Sequence, residues 1–211
     1  MCKKCLKKLP VKENFECIGC KASTPLGKTC INCRDTESVD QLLIVSDYKN
    51  PAIVKIIKLL KYRFVTEAIK PISIMMKRYI YRMTKYKKLN ILEEEPVITF
   101  VPLRHDRLNW RGFNQAELIA KALADIVQQA VRSDVILRIK SSKPQAEIKE
   151  REERLKKPRG VFGVIDGAGI AGKTIILVDD VCTTGATLNE CARILKEAGA
   201  KKVIGFVIAR G

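Results

Sequence analysis

One segment constrains the fold of this chain more than any other: an apolar run that ends in two acids and is followed by a loop of small residues. The segment Ile175–Leu188 reads IILVDDVCTTGATL. Its first part, Ile175–Val178, is typical of a buried strand, and a helix is predicted at 187–198, directly after the loop. A buried strand joined to a helix by a short loop predicts a parallel α/β sheet, in which ligands bind beyond the carboxyl ends of the strands.

Most of the chain after residue 38 repeats this alternation of strands and helices. Further strands are predicted at 41–48, 97–101, 134–139, 161–165 and 203–208. Helices are predicted at 51–63, 67–83 and 114–130. The third of these helices begins with Asn114 and Glu117, a pair that resembles a capping box. The polar stretch 85–95 is predicted to be a loop, and 140–160 a mobile loop or a partly helical excursion. Together these elements predict an α/β fold with a mostly parallel sheet that helices cover on both faces.

The loop after the strand has the chemistry of an anion site. Backbone N–H groups at the beginning of a helix attract a phosphate, and Gly185 has no Cβ that would keep the phosphate at a distance. Threonine hydroxyls add hydrogen bonds. The predicted phosphate-binding residues are Val181, Cys182, Thr183, Thr184, Gly185, Ala186 and Thr187.

Two acids, Asp179 and Asp180, precede this loop and would repel a phosphate alone. They fit a ligand whose hydroxyls donate hydrogen bonds to them, or a Mg²⁺ ion that bridges hydroxyls and a pyrophosphate. The segment therefore predicts a ribose that carries a 5′-phosphate, with Asp179 and Asp180 as candidate catalytic residues. The alternative is a strand that ends in a solvated acidic turn before a capped helix.

Three C-x-x-C pairs stand near the N-terminus, in a segment with few large apolar residues: Cys2/Cys5, Cys17/Cys20 and Cys30/Cys33. Such a segment cannot bury much core, and paired cysteines in a cytosolic chain indicate metal ligands. The residues Cys17, Cys20, Cys30 and Cys33 predict a structural zinc site, because four sulfurs leave no open position. The pair Cys2/Cys5 either joins a site on another chain or is half of a longer finger. A boundary near residue 38 is predicted between this finger (1–38) and the main domain (39–211).

The other cysteines, Cys182 and Cys191, are predicted to be buried without a chemical role. A nucleophile needs a neighbouring base, and His105 is the only histidine in the chain. We expect His105 to donate a hydrogen bond from a loop.

A strong positive charge favours polyanion partners. The 211-residue chain has 40 basic and 23 acidic residues, a net charge of +17. Two basic groups are Lys55, Lys58, Lys61 and Arg63, and Lys77, Arg78, Arg82, Lys85, Lys87 and Lys88, the second with Tyr79, Tyr81 and Tyr86 interleaved. Cations with aromatic rings suit single-stranded nucleic acid. The alternatives are ordinary solvated helix faces and a lysine-rich proteome.

With no long apolar run and no signal peptide, we expect a cytoplasmic protein without a membrane span.

The segment Ile175–Leu188 resembles the phosphoribosyl pyrophosphate (PRPP) motif of type I phosphoribosyltransferases. Residues 101–124, residues 143–164 and the terminal VIARG resemble ComF/ComFC-type competence proteins. This resemblance implies a type I phosphoribosyltransferase fold, a parallel sheet with a small hood, preceded by a zinc finger. It also implies PRPP or a related nucleotide as the ligand, with Mg²⁺. The implied role is the uptake or handling of single-stranded DNA in natural transformation, with other competence proteins as partners.

The resemblance also implies further site residues. A pyrophosphate loop corresponds to Pro102, Leu103, Arg104 and His105, and Arg107 and Arg111 flank it. A flexible loop at 141–159, which closes over the substrate in the superfamily, includes Lys143, Gln145, Arg154 and Arg159.

Three functions stay open on the sequence. The first is a competence protein that handles DNA and uses the phosphoribosyltransferase site for binding or regulation. The second is an active phosphoribosyltransferase that transfers the ribose phosphate of PRPP to a nucleobase or amine. The third is a regulatory protein whose partner affinity depends on nucleotide binding. We rank the first ahead because of the resemblance, since a fold alone does not establish a reaction.

Overall fold

The computed structural model describes residues 6, 8–62, 66–87, 89, 95–139 and 160–211. Some predicted site residues lie outside this part of the chain: Cys2, Cys5, Lys143, Gln145, Arg154 and Arg159. Arg63 and Lys88 of the basic groups also lie outside it.

The described residues form a four-stranded, wholly parallel sheet. Its strands are β1 (Gln41–Asp47), β2 (Val97–Phe100), β5 (Thr174–Cys182) and β6 (Lys202–Arg210), in the spatial order β1-β6-β5-β2. Their buried apolar residues form the near-continuous runs expected of strands covered on both faces. The carboxyl ends of all four strands meet at one edge, where the predicted ligand loop lies.

Five helices accompany the sheet in the described residues. They are α1 (Pro51–Tyr62), α2 (Ile69–Lys87), α3 (His105–Arg111), α4 (Gln115–Val127) and α5 (Ala186–Glu197). The prediction that Asn114 caps α4 is confirmed, because its side chain accepts a hydrogen bond from the Ala116 amide at 2.9 Å. Glu117 does not complete the capping box in the observed geometry, since it pairs with Lys121 at 2.7 Å. None of the helices in the described segments is long and apolar enough to cross a bilayer.

Two predicted strands lie outside the parallel sheet. They are β3 (Ile136–Arg138) and β4 (Phe162–Val164), which pair with each other in antiparallel orientation. This small ribbon packs against α5, on one face of the main sheet. The prediction of an α/β fold with a parallel sheet between helices and a smaller added unit is confirmed.

The apolar core has two halves, one on each face of the sheet. One half contains the buried faces of α1, α2 and α4. The other contains α5, the β3–β4 ribbon, Ile18 and Val39. Because Ile18 lies between two cysteines of the N-terminal segment, that segment contributes to the core of the main domain. The boundary near residue 38 stays a prediction.

Some element bounds differ from those expected. The predicted loop at 85–95 begins later, because α2 continues to Lys87. The strand expected to end at Val178 continues to Cys182, so both acids belong to β5. The helix α3 was not predicted, since its seven residues are too few to show helical periodicity, and Gly112 ends it with a φ of +74°.

Candidate functional site

The end of β5 and the beginning of α5 border a small open cleft of about 40 Å³. The residues that line it are Asp179, Val181, Cys182, Thr183, Thr184, Gly185, Ala186, Thr187 and Leu188. All seven predicted phosphate-binding residues therefore come together at one place. A ligand pocket that encloses a whole small molecule has roughly 300–1,000 Å³, so this cleft is far too small for a whole ligand and suits a single group of one.

The loop of this cleft presents backbone rather than charged side chains. Gly185, the residue before α5, has a φ of +82°, a conformation that favours glycine. Gly185 has no side chain that could cap the helix, and the first residues of α5, Ala186, Thr187 and Leu188, line the cleft. Thr184 Oγ1 accepts a long hydrogen bond of 3.4 Å from the Ala186 amide. The amides at this helix N-terminus are suited to an anion.

The two acids have different surroundings. Asp179 lines the cleft and is half-buried, and its Oδ1 accepts a hydrogen bond of 2.8 Å from the Asp180 amide. Burial of the carboxyl, and secondly the negative charge of Asp180, raise the pKa of Asp179 to about 7, although the Asp180 amide and Lys61 oppose the shift. Asp179 is the acid of the pair that a ligand in the cleft would meet.

Asp180 is not among the described residues that line the cleft. Adjacent residues of a strand point to opposite faces of the sheet, and Asp180 points toward the end of α1. There the Lys61 ammonium lies 2.8 Å from Asp180 Oδ2, and the two side chains are 21% and 5% exposed. Lys61 was predicted to belong to a basic surface, and this part of the prediction is wrong: its charge is paired with a buried acid.

The predicted pyrophosphate loop lies beside these acids. The Val101 amide donates a 2.9 Å hydrogen bond to Val178 O, which holds the end of β2 against β5. Pro102, Leu103 and Arg104 follow directly. The Arg104 guanidinium forms two hydrogen bonds with the Asp106 carboxylate, of 3.1 and 3.0 Å, and thereby lowers the pKa of Asp106.

His105 is not in a loop, contrary to our expectation, but is the first residue of α3. The loop thus ends at Arg104, because the backbone turns into a helix as soon as it leaves the sheet. The His105 ring contacts Asn109 one helical turn later, with 3.1 Å between Nδ1 and Nδ2.

A buried arginine ends α3 close to the same edge of the sheet. Arg111 is 7% exposed, and its Nη1 donates a 2.9 Å hydrogen bond to Gln115 Oε1. Its guanidinium carbon lies 5.3 Å from the Tyr62 ring centroid and 5.9 Å from that of Trp110. The Nε atom has no hydrogen-bond partner among the described residues. A buried cation held by neutral groups is well placed to receive an anion.

The two basic groups predicted on the helices are partly used inside the molecule. Tyr79 is buried in the core, where burial raises its pKa. Arg78 donates a 2.8 Å hydrogen bond to Leu9 O, and Arg82 pairs with Glu13 at 2.6 Å. The exposed faces retain other members of both groups: Lys55, Lys58, Lys77, Tyr81, Lys85, Tyr86 and Lys87.

Four cysteine thiols come together in the N-terminal segment. The Sγ atoms of Cys17, Cys20, Cys30 and Cys33 all lie within 4.8 Å of one another. The Cys30 amide donates to Cys17 Sγ at 3.4 Å. Although burial would raise it, the amides of Cys30, Cys20 and Gly19 lower the pKa of Cys17 to about 7, which favours the thiolate that binds metal. This donor set fits a metal ion such as zinc.

The remaining two described cysteines are buried, as predicted. Cys182 is 2% exposed and Cys191 is fully buried. Burial raises the pKa of Cys182 to about 11, so at neutral pH it is a thiol rather than a nucleophilic thiolate.

Comparison with known proteins finds one matching family model and several similar relatives. The family model described as "Phosphoribosyl transferase domain" matches residues 111–211. Competence protein F of Haemophilus influenzae is 26% identical over 225 residues, which cover 99% of this chain and 96% of the relative. Competence protein ComFC of Streptococcus pneumoniae is 38% identical over 110 residues, 52% of this chain and 46% of the relative.

A third relative has a different name. DNA utilization protein YhgH of Salmonella typhimurium is 28% identical over 171 residues, 81% of this chain and 72% of the relative. The Haemophilus protein aligns with almost the whole of this chain. The chain is thus similar to ComF/ComFC-type competence proteins and, over residues 111–211, to a phosphoribosyl transferase domain.

Proposed function

We propose that this protein binds PRPP or a related ribose 5-phosphate ligand together with Mg²⁺ and assists the handling of single-stranded DNA in natural transformation. The observation that carries the first part is the cleft at the end of β5. One acid, Asp179, lines it, and so do the first residues of α5, Ala186, Thr187 and Leu188. Phosphate suits the amides, and ribose hydroxyls suit the carboxylate.

Mg²⁺ prefers carboxylate, phosphate and water oxygens. Asp179 is the described carboxylate that lines the cleft, and it would hold the ion together with the ligand's own oxygens. When bound, the ion neutralises the negative charge of a pyrophosphate group. Asp180 has a supporting role in this proposal, since its ion pair with Lys61 fixes the end of β5.

Arg111 is our candidate for the pyrophosphate end of the ligand. It follows the predicted pyrophosphate loop along the chain, and its partners among the described residues are an amide oxygen and two aromatic rings. A phosphate oxygen would supply the charge-assisted hydrogen bond that these neutral groups lack. This assignment separates PRPP, which has a pyrophosphate, from ribose 5-phosphate, which does not.

The second part of the proposal is supported by the names of the relatives, two competence proteins and a DNA utilization protein. It is also supported by exposed aromatic rings beside lysines. Tyr62 and Trp110 are 55% and 59% exposed, and their ring centroids are 6.5 Å apart. Lys55 and Lys58 precede Tyr62 on the same helix and line an apolar groove with it. Bases stack on such rings while lysines contact the phosphates.

Two assays on one preparation test the ligand proposal. The first measures PRPP binding with and without Mg²⁺, and we expect binding that depends on the ion. The second measures pyrophosphate release over a panel of nucleobases and amines. Release with any acceptor would favour the alternative function, an active phosphoribosyltransferase. The match to a phosphoribosyl transferase domain supports this alternative. Absence of PRPP binding would contradict both functions.

A further inference from the structure

The segment that holds the cysteine cluster packs against the ligand loop. Ile18, between Cys17 and Cys20, is fully buried in the core half that contains α5. Its side chain is so close to Gly185 that a Cβ at Gly185 would lie 2.9 Å from Ile18 Cγ1. The first cysteine pair therefore packs against the residue that begins the phosphate-binding helix.

The second cysteine pair reaches the same helix through Glu37. The Glu37 amide donates to Cys33 O at 2.9 Å, and its carboxylate accepts a hydrogen bond from Asn189 Nδ2. Asn189 Oδ1 also accepts from the amides of Ser38 and Val39, at 2.9 and 3.0 Å. Asn189 in turn donates its own amide to Gly185 O at 2.8 Å. Ile18 of the first pair and Glu37 beside the second pair thus contact the first turns of α5.

A buried arginine makes a third connection, at the neighbouring strand. Arg210 is the last residue of β6, in register with Cys182 at the end of β5. Its guanidinium donates to Cys17 O at 2.8 Å and to Ile18 O, and it pairs with Glu16 at 3.1 Å. The carbonyl groups of the first cysteine pair therefore satisfy a buried charge at the edge of the sheet where the ligand loop begins.

The two cysteine pairs have the same pattern but different surroundings. They read C-I-G-C and C-I-N-C, with Ile18 and Ile31 in equivalent positions. Ile18 is 0% exposed, whereas Ile31 is 64% exposed. A simple structural clamp for the finger itself does not require an isoleucine of one pair to lie against Gly185. The asymmetry points to a task for Ile18 outside the finger.

We propose that the metal-bound cysteine cluster positions the ligand loop, so that metal binding and ribose 5-phosphate binding reinforce each other. Ile18 and Asn189 are positioning residues, which act on Gly185 without contacting the ligand. This inference rests on the proposed ribose 5-phosphate site. Because coupling is reciprocal, the metal raises ligand affinity by the same factor by which the ligand raises metal affinity.

The test compares Ile18→Ala with its matched control, Ile31→Ala, in the full chain loaded with zinc. Elemental analysis should give one zinc per chain in both variants. We expect Ile18→Ala to weaken ribose 5-phosphate binding about tenfold in calorimetry, within the usual range of coupling between sites. Ile31→Ala should bind like the wild type. Equal affinities of the two variants would overturn the proposal.

Hydrogen exchange gives a readout that needs no ligand. Ile18→Ala should accelerate exchange at 183–189 and leave α4 at its wild-type rate. Uniform acceleration over the whole chain would mean a merely structural role and would contradict the proposal. If the zinc-loaded wild type binds no ribose 5-phosphate, the proposed ligand is wrong, and exchange at 183–189 still decides whether the cluster positions the loop.

A second variant and a competition experiment guard against loss of metal. Asn189→Ala lies outside the cysteine cluster and should reproduce the faster exchange at 183–189 with zinc retained. In the wild type, ribose 5-phosphate should slow the transfer of zinc to a chromophoric chelator, and this effect should shrink in Ile18→Ala. If the protein binds ribose 5-phosphate but the rate of zinc transfer is the same with and without it, the two sites are independent and the proposal is wrong.

Discussion

The ammonium of Lys61 lies 2.8 Å from Oδ2 of Asp180, in a pair that joins the last turn of α1 to the end of β5. Asp180 is thereby paired with a residue of a neighbouring helix, while Asp179 lines the cleft. The acids are adjacent in sequence but have different contacts, so we expect a different result when each is substituted.

Substitution of Asp180 should affect stability first. Asp180→Asn leaves the Lys61 charge largely buried without its counter-ion, and we expect a loss of about 1–3 kcal/mol in the free energy of unfolding. Lys61→Met should cost less in the Asp180→Asn background than in the wild type, because the two side chains interact. Urea unfolding measures this cycle. Lys58→Met, on the exposed face one turn earlier, is the control; additive effects of the pair would contradict the assigned contact.

Substitution of Asp179 should change the pH dependence of stability. Its pKa is about 7 in the folded chain against an ordinary value of 3.8, so the folded state holds this proton more tightly. The free energy of unfolding therefore falls as pH rises from about 4 to about 7, because ionisation is less favourable in the folded state. Asp179→Asn lacks this decline and should be more stable than the wild type at pH 8, with the difference gone near pH 4. Urea unfolding without ligand measures both profiles; parallel profiles would contradict the raised pKa.

Substitution of Arg111 should separate two ligands. Arg111→Gln removes the cation proposed for the pyrophosphate, so PRPP should lose about tenfold in affinity while ribose 5-phosphate keeps its wild-type affinity, since a charge-assisted hydrogen bond contributes about 1.5–3 kcal/mol. Calorimetric titration with each ligand in Mg²⁺ measures the effect. Arg107→Gln, an exposed neighbour on α3, is the control. An equal loss of affinity for both ligands would contradict the assignment of Arg111 to the pyrophosphate.

Substitution of the exposed rings should weaken DNA binding. We expect the protein to bind a fluorescent single-stranded oligonucleotide at low salt, with an affinity that falls as salt rises. Tyr62→Ala combined with Trp110→Ala should reduce this affinity by about tenfold or more, since stacking contributes about 1–3 kcal/mol per base. Tyr81→Ala, an exposed ring of the other basic group, compares the two surfaces and should have the smaller effect. Unchanged binding in the double variant would exclude this surface, and no binding at low salt would exclude the DNA function.

The sequence predicts the strand, the loop and the helix of the candidate ligand site because they are contiguous in Ile175–Leu188. It predicts the cysteine cluster for a related reason, since each C-x-x-C pair is local and the donor types determine the chemistry. The parallel sheet follows from the alternation of strands and helices. These features depend on neighbouring residues, and their geometry is set by short-range rules.

Contacts between distant parts of the chain could not be predicted in this way. Lys61 has the spacing of a solvated helix face, and nothing near it indicates that Asp180 lies within reach. Ile18 and Ile31 occupy equivalent places in two C-x-x-C motifs, so the pattern does not predict which of them enters the core. Tyr79 looks like one of three interleaved surface rings until the packing of α2 buries it. Tertiary packing decides each of these cases.

The central claim is that a ribose 5-phosphate binds at the N-terminus of α5. Its most direct test is a titration of the zinc-loaded, ¹⁵N-labelled protein with ribose 5-phosphate, followed by the amide resonances of residues 183–187. We predict saturable shifts of these amides, larger than those that the same concentration of ribose without phosphate produces. Amides at 183–187 that stay in place while the ligand is added, or that respond only elsewhere in the chain, would contradict the account.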